Sequence, residues 1–179
     1  ISIMRNAAFP EINLNVQTLL DCDTSDGGCH GGSQLRAYKY IQTSKITDET
    51  CAPYVALSYR EGRKCTPQSI CNECTPSSGC GVPKKYNEYT ISSYGEVDGE
   101  ENMMKEILKN GPVSCGVDAG PLEGVKNWDI VTDPGDGINH IVSVVGWGVE
   151  IGTKYWILRN SWGEYFGKEG YARILKGNG

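Results

Sequence analysis

The sequence is short of several things, and each shortage excludes something. It has no basic surplus: 17 Lys and Arg stand against 22 Asp and Glu, a formal net charge of -5. Without excess positive charge a surface has little with which to displace counterions from phosphates, so a nucleic-acid partner is disfavoured. It has no long apolar run. The longest near-continuous stretch, Ile141 to Trp147, falls far short of the ~20 residues that span a bilayer, so no membrane insertion is expected. Ile1–Arg5 lacks the charged start and apolar run of a signal peptide, and the chain reads as a processed or truncated piece. Only His30 and His140 are available for imidazole chemistry. What remains, 179 residues with 39% hydrophobic and 22% charged, suits one globular domain or two packed halves.

Cysteine, in contrast, is plentiful. Eight occur, and five of them, Cys51 to Cys80, crowd a segment rich in Pro, Ser, Thr and Asn with little apolar periodicity. Such a segment cannot fold on burial alone, and disulfides are the natural remedy. Zinc is the competing reading, because Cys71-x-x-Cys74 lies between Cys65 and Cys80. Only one pair has knuckle spacing, however, and no histidine is near, so disulfides are favoured and no metal or cofactor is expected. This cysteine usage points to an oxidising compartment.

Residues 1–85 and 86–179 differ in character. In the first part, Asn15 can cap a helix with Val16, Leu19 and Leu20 on one face, ending near Cys22. Ser33 can cap a second, with Leu35, Tyr38 and Ile41 repeating at helical spacing. A glycine loop, Gly27–Gly32, lies between them. In the second part, Asp98 and Glu101 make a capping box for a helix whose apolar face is Met103, Met104, Ile107 and Leu108, stopped by Gly111-Pro112. Strand-like runs follow at Val113–Val117, Ile141–Trp147, Tyr155–Arg159 and Tyr171–Leu175. Helices first and strands later predict an α+β protein.

One juxtaposition carries chemistry. Val149–Thr153, with Gly152, reads as a hairpin loop between two apolar strands. Folding the hairpin about Glu150 sets His140 opposite Asn160, close enough for the carboxamide oxygen to accept from an imidazole N–H. That bond would fix the tautomer and leave the other ring nitrogen free for proton transfer. Trp162, just beyond, could shield the pair from water. A strand-end histidine among packing residues is the plainer alternative, and a polar Asn opposite it in an apolar hairpin argues for chemistry. His30, in a solvated glycine loop, is better read as a surface residue. Gly31-Gly32 is either a simple turn or a place where a peptide backbone can approach and pair. A histidine oriented by Asn belongs with a cysteine nucleophile. None of the eight cysteines stands at a helix N-terminus, so no cysteine here reads as the nucleophile.

These residues together carry a resemblance. Asn139-His140 with its valine strand, Tyr155–Gly163, Gly167–Gly170, Leu14–Gln17, Leu20–Cys22 and Cys29–Gly32 closely resemble the papain-family cysteine peptidases over nearly the whole chain. Asp48–Cys51, the cysteine cluster and Met103–Pro112 look most like a carboxypeptidase branch of that family. The resemblance implies a papain-like two-lobed fold: a helical, disulfide-rich lobe, a β-barrel-like lobe and an active-site cleft between them. It implies that the fold is incomplete, with the N-terminal part of one lobe and the C-terminal tail of the other missing. His140 would be acid and base, Asn160 its orienter and Trp162 the shield. Gly31 and Gly32 would bind substrate backbone, with Ser33, Gln34 and Asn139 near the subsites. By the same resemblance the bridges would be Cys22–Cys65, Cys51–Cys71 and Cys74–Cys80. Cys29 and Cys115 would pair outside the chain and be its reactive thiols. Ile1–Ala7 would be the tail of a helix that begins upstream with the nucleophile. The implied partners are peptide or protein substrates and a separate N-terminal segment supplying the cysteine, in a lysosomal or secreted setting. This chain alone would then be inactive. A non-catalytic protein of the same fold, retained for binding or structure, is the alternative.

Overall fold

The computed structural model describes residues 12–56 and 63–177. The expectation for Ile1–Ala7 lies outside them. Two compact units divide between Gly95 and Glu96, not between 85 and 86 as the change of character suggested. The reason is hydrogen bonding that composition does not reveal. Ile46 pairs with Tyr89, Thr90 Oγ1 donates to the carbonyl of Ile41, and Gln42 Nε2 donates to that of Ser92. These contacts fasten the segment after Pro83 to the first unit.

In the first unit, helix α1 (Val16–Cys22) starts at Asn15, whose Oδ1 accepts from Thr18 N at 3.0 Å. Its buried residues are Gln17, Thr18 and Cys22, whereas Val16 is 54% exposed, which corrects the apolar face predicted from Val16, Leu19 and Leu20. The helix packs on a single-turn helix, Pro67–Ile70, and on loops whose backbone groups need partners, so polar residues face inward. Thr18 Oγ1 donates to Ser69 O, Gln17 Oε1 accepts from Val55 N, and Asn15 Nδ2 donates to Thr47 Oγ1. A 3-10 turn, Gly28–His30, interrupts the glycine loop. Helix α2 (Gln34–Ser44) follows Ser33, which holds the N-cap position without a side-chain cap, and buries Ile41. A short helix, α3 (Pro67–Ile70), carries a capping box between Thr66 and Ser69. Strands β1 (Glu73–Thr75) and β2 (Gly79–Gly81) form a small hairpin. Three disulfides staple the unit: Cys22–Cys65, Cys51–Cys71 and Cys74–Cys80.

In the second unit, helix α4 (Glu100–Asn110) begins after Gly99, whose φ of 79° suits glycine. The capping box expected from Asp98 does not form, because that turn places Asp98 too early, and its carbonyl accepts from Asn102 Nδ2 instead. Met103, Met104 and Ile107 pack with Val144 and Trp156, while Leu108 is 70% exposed. A five-stranded sheet follows, in the order β3 (Val113–Val117), β5 (His140–Glu150), β6 (Thr153–Arg159), β7 (Tyr171–Leu175), β4 (Ile130–Val131). Its pairings are antiparallel except β4 with β7. The sheet is open, with β3 and β4 as its edges, so the barrel-like lobe is not a closed barrel among the described residues. Its core joins Val142, Leu158 and Ala172 to Leu122, from helix α5 (Gly120–Glu123), and to Phe166.

The β5–β6 hairpin turns at Ile151-Gly152, both with positive φ, so Glu150 pairs with Thr153 instead of lying at the apex. A bulge between Val144 and Gly146 then shifts the register, and the ladder ends at Ser143 with Arg159. His140 therefore pairs laterally with Val117 of β3, not with Asn160.

Candidate active site

His140 opens β5, and Asn160 follows the last residue of β6. Asn160 is buried, its backbone N–H bonded to the carbonyl of Gly170. Past the ladder the two strand ends converge, and Nε2 of His140 lies 2.9 Å from Oδ1 of Asn160. The same Oδ1 accepts from the backbone N–H of Ser161 at 2.8 Å, which identifies it as the oxygen. The imidazole must therefore donate through Nε2, which leaves Nδ1 as the proton-transfer position in the neutral ring. Asn160 Nδ2 is buried and, among the described residues, has no hydrogen-bond partner.

Trp162 stacks on the imidazole with ring centroids 5.1 Å apart and planes 25° apart. Phe166 meets Trp162 edge-on at 5.2 Å, so the core of the unit backs the indole that covers the histidine. Asn139 does not point at Asn160. Its Oδ1 accepts from Ala119 N at 2.8 Å and its Nδ2 donates to Asp118 at 3.0 Å.

Gly31, Gly32 and Ser33 belong to the other unit. The glycine loop is closed by Gly27 N–H to Gly31 O at 2.9 Å, and the N–H of Ser33 donates to Asp26 Oδ1 at 3.0 Å. Asp26 also pairs with Arg36. A Cβ at Gly32 would fall 2.8 Å from the Asp26 carboxylate, so any side chain there would push that carboxylate aside. The N–H and C=O of Gly32 have no hydrogen-bond partner among the described residues. Asp26 was not singled out from the sequence, although an Asp leading into Gly-Gly is a turn-forming signal. Phe166 gave no such signal, because its role depends on where Trp162 lies.

Among the described residues Cys29 and Cys115 are the free cysteines. Cys115 lies in β3 against the core, and burial pushes its thiol pKa up. Of the two thiols expected to be reactive, it should therefore be the slow one. Alkylation at neutral pH followed by peptide mapping should label Cys29 at least several-fold faster, and equal or reversed rates would contradict this.

Sequence and structure comparisons agree in direction. The family model described as "Papain family cysteine protease" matches residues 2–179. "Cathepsin Z" of Onchocerca volvulus is 38% identical over 177 residues, covering 97% of this chain and 56% of the relative. The Amb a 11 cysteine protease, a ragweed pollen allergen, superposes in its proform with a TM-score of 0.76 and 26% identity, over 98% of this chain and 49% of that one. The Carica candamarcensis cysteine protease CMS1MS2, in complex with E-64, gives a TM-score of 0.72 and 28% identity, over 98% and 73%. The chain spans about half the length of the cathepsin Z relative it matches.

Proposed function

The chain belongs to the papain family of cysteine proteases, and from that premise we propose that it carries the acid/base half of a thiol peptidase centre. The observation that carries the proposal is the 2.9 Å bond from His140 Nε2 to an Asn160 oxygen that Ser161 holds in place. With Nε2–H committed to Asn160, Nδ1 can exchange a proton with a sulfur while the ring keeps its direction. A cysteine thiolate outside the described residues attacks the peptide carbonyl carbon. The C–N bond then breaks as the Nδ1 proton of the imidazolium passes to the leaving amine, giving a thioester. The neutral imidazole next takes a proton from water, whose oxygen displaces the thiolate and releases the acid. Trp162, stacked on the ring, screens the His140–Asn160 bond from solvent. The unpaired backbone of Gly32 supports a role for Gly31 and Gly32 in pairing with substrate main chain, with Ser33 next to them in the same loop.

The finer reading is a carboxypeptidase like cathepsin X (also called cathepsin Z), removing one residue from a peptide C-terminus in a lysosomal or secreted compartment. The 38% identity to a cathepsin Z and the three disulfides support it. Incubating the full-length protein with a defined peptide and following the products by mass spectrometry tests it. Stepwise loss of single C-terminal residues is expected. Internal cleavage would replace the carboxypeptidase reading with an endopeptidase, and no cleavage by folded, reduced protein would favour the non-catalytic alternative.

A further inference from the structure

We propose that Asp118 is a positioning residue for His140: its carboxylate ties the chain entering β5 to the chain leaving β3, and so sets where the imidazole stands. The inference builds on the acid/base role given to His140 above.

Both Asp118 oxygens are fully engaged. Oδ1 accepts from Gly120 N at 2.8 Å and from Asn139 Nδ2 at 3.0 Å. Oδ2 accepts from Asp136 N at 2.7 Å and from Gly137 N at 3.2 Å. Asn139 returns the tie, taking the Ala119 N–H on its own Oδ1 and giving its backbone N–H to Val117 O at 3.1 Å. The knot ends one residue before His140, which pairs with Val117.

Burial cannot do this work. Residues 136–139 are exposed, Ile138 included, so few apolar contacts hold the approach to β5 and hydrogen bonds must fix it. Gly135 has room for the knot only because it lacks a side chain. A Cβ there would come within 2.4 Å of the Asp118 Cβ, and the φ of Gly135 is +76°. An Asn at 118 would not serve, since its amide N–H groups would face donors. The donors of Gly120, Asp136 and Asn139 also hold the Asp118 carboxyl below the usual carboxylate range.

The test has a readout that does not need turnover. Long-range 15N spectra of the chain report which nitrogen of the His140 ring carries the proton. In the parent, a single tautomer with a slowly exchanging Nε2–H is expected. Asp118→Ala, Asp118→Asn and Gly135→Ala should each lose that signal and mix the tautomers, while Asp136→Ala, in the same loop, should not, because only its backbone N–H is used. In the full-length protein the first three should lower kcat by about 10- to 100-fold, with KM changed by less than about twofold, as misplacement of a proton-transfer group requires. An unchanged Nε2–H signal in folded variants would overturn the proposal. So would loss of folding in all three, because the knot would then serve the fold in general. His140→Ala separates the two readings. If it leaves hydrolysis intact while the Asp118 variants lose the Nε2–H signal, the acid/base assignment fails and the positioning stands. If His140→Ala is inactive and the Asp118 variants are normal, only the positioning falls.

Discussion

Replacing His140 with alanine in the full-length protein is expected to lower turnover by about four to six orders of magnitude, since it removes the group to which both proton transfers are assigned. Among the described residues the other histidine is His30, in the glycine loop of the other unit. Asn160→Ala should cost less, about a hundredfold, because it releases the ring from Oδ1 without removing Nδ1. The tryptophan stack still restricts the ring in that variant, which is why the loss should be partial. Rates measured on active-site-titrated enzyme check both. Equal, small losses for the two variants would show that His140 is not the acid/base group.

Leu158→Ala should destabilise the second unit by about 3 kcal/mol, within the range for buried leucines in rigid surroundings. Leu158 is 0% exposed at the centre of the sheet and packs with Leu122, Val142, Phe166 and Ala172. Its neighbours come from α5, from the adjacent strands and from Phe166, so filling the space left requires several elements to shift together. Phe166 is also the edge on which Trp162 rests, so loosening the core should reach the cover of His140. Leu108→Ala, on the exposed side of α4, is the control and should change stability by no more than about 0.5 kcal/mol. Denaturant unfolding of the chain measures both. A loss below about 1 kcal/mol at Leu158 would mean that the cluster is not the core.

Those two leucines illustrate how much could be read in advance. Runs rich in β-branched and aromatic residues marked β3 and β7 at their observed ends, because such side chains suit a pleated, half-buried surface. Asn15 acted as a cap as its type predicts, since capping is a local event. Leu108 misled because a helix of this length shows several faces and only packing selects one. The polar inner side of α1 could not be read at all, as Thr18 and Gln17 meet backbone groups of α3 and of the loop at Val55, far away in sequence. The same holds for β4, two residues recruited parallel to β7.

At the candidate site, the chemistry was more legible than the geometry. His140 and Asn160 were paired by a hairpin folded about Glu150, yet the turn sits at Ile151-Gly152 and a bulge shifts the ladder. The two side chains meet beyond the end of the ladder rather than across it. Asp118 escaped notice because an aspartate that gathers backbone N–H groups looks, in sequence, like any surface acid, whereas the turn signal at Asp26 does not say which N–H it will bind.

The most direct measurement is the pH dependence of alkylation of the nucleophile cysteine in the full-length protein, with and without His140. If the imidazole described here serves a thiolate, that cysteine should react rapidly down to about pH 4 in the parent, and His140→Ala should return it to the profile of an ordinary thiol near pH 8.5. A profile near that of an ordinary thiol in the parent, or one that His140→Ala leaves unchanged, would contradict the account.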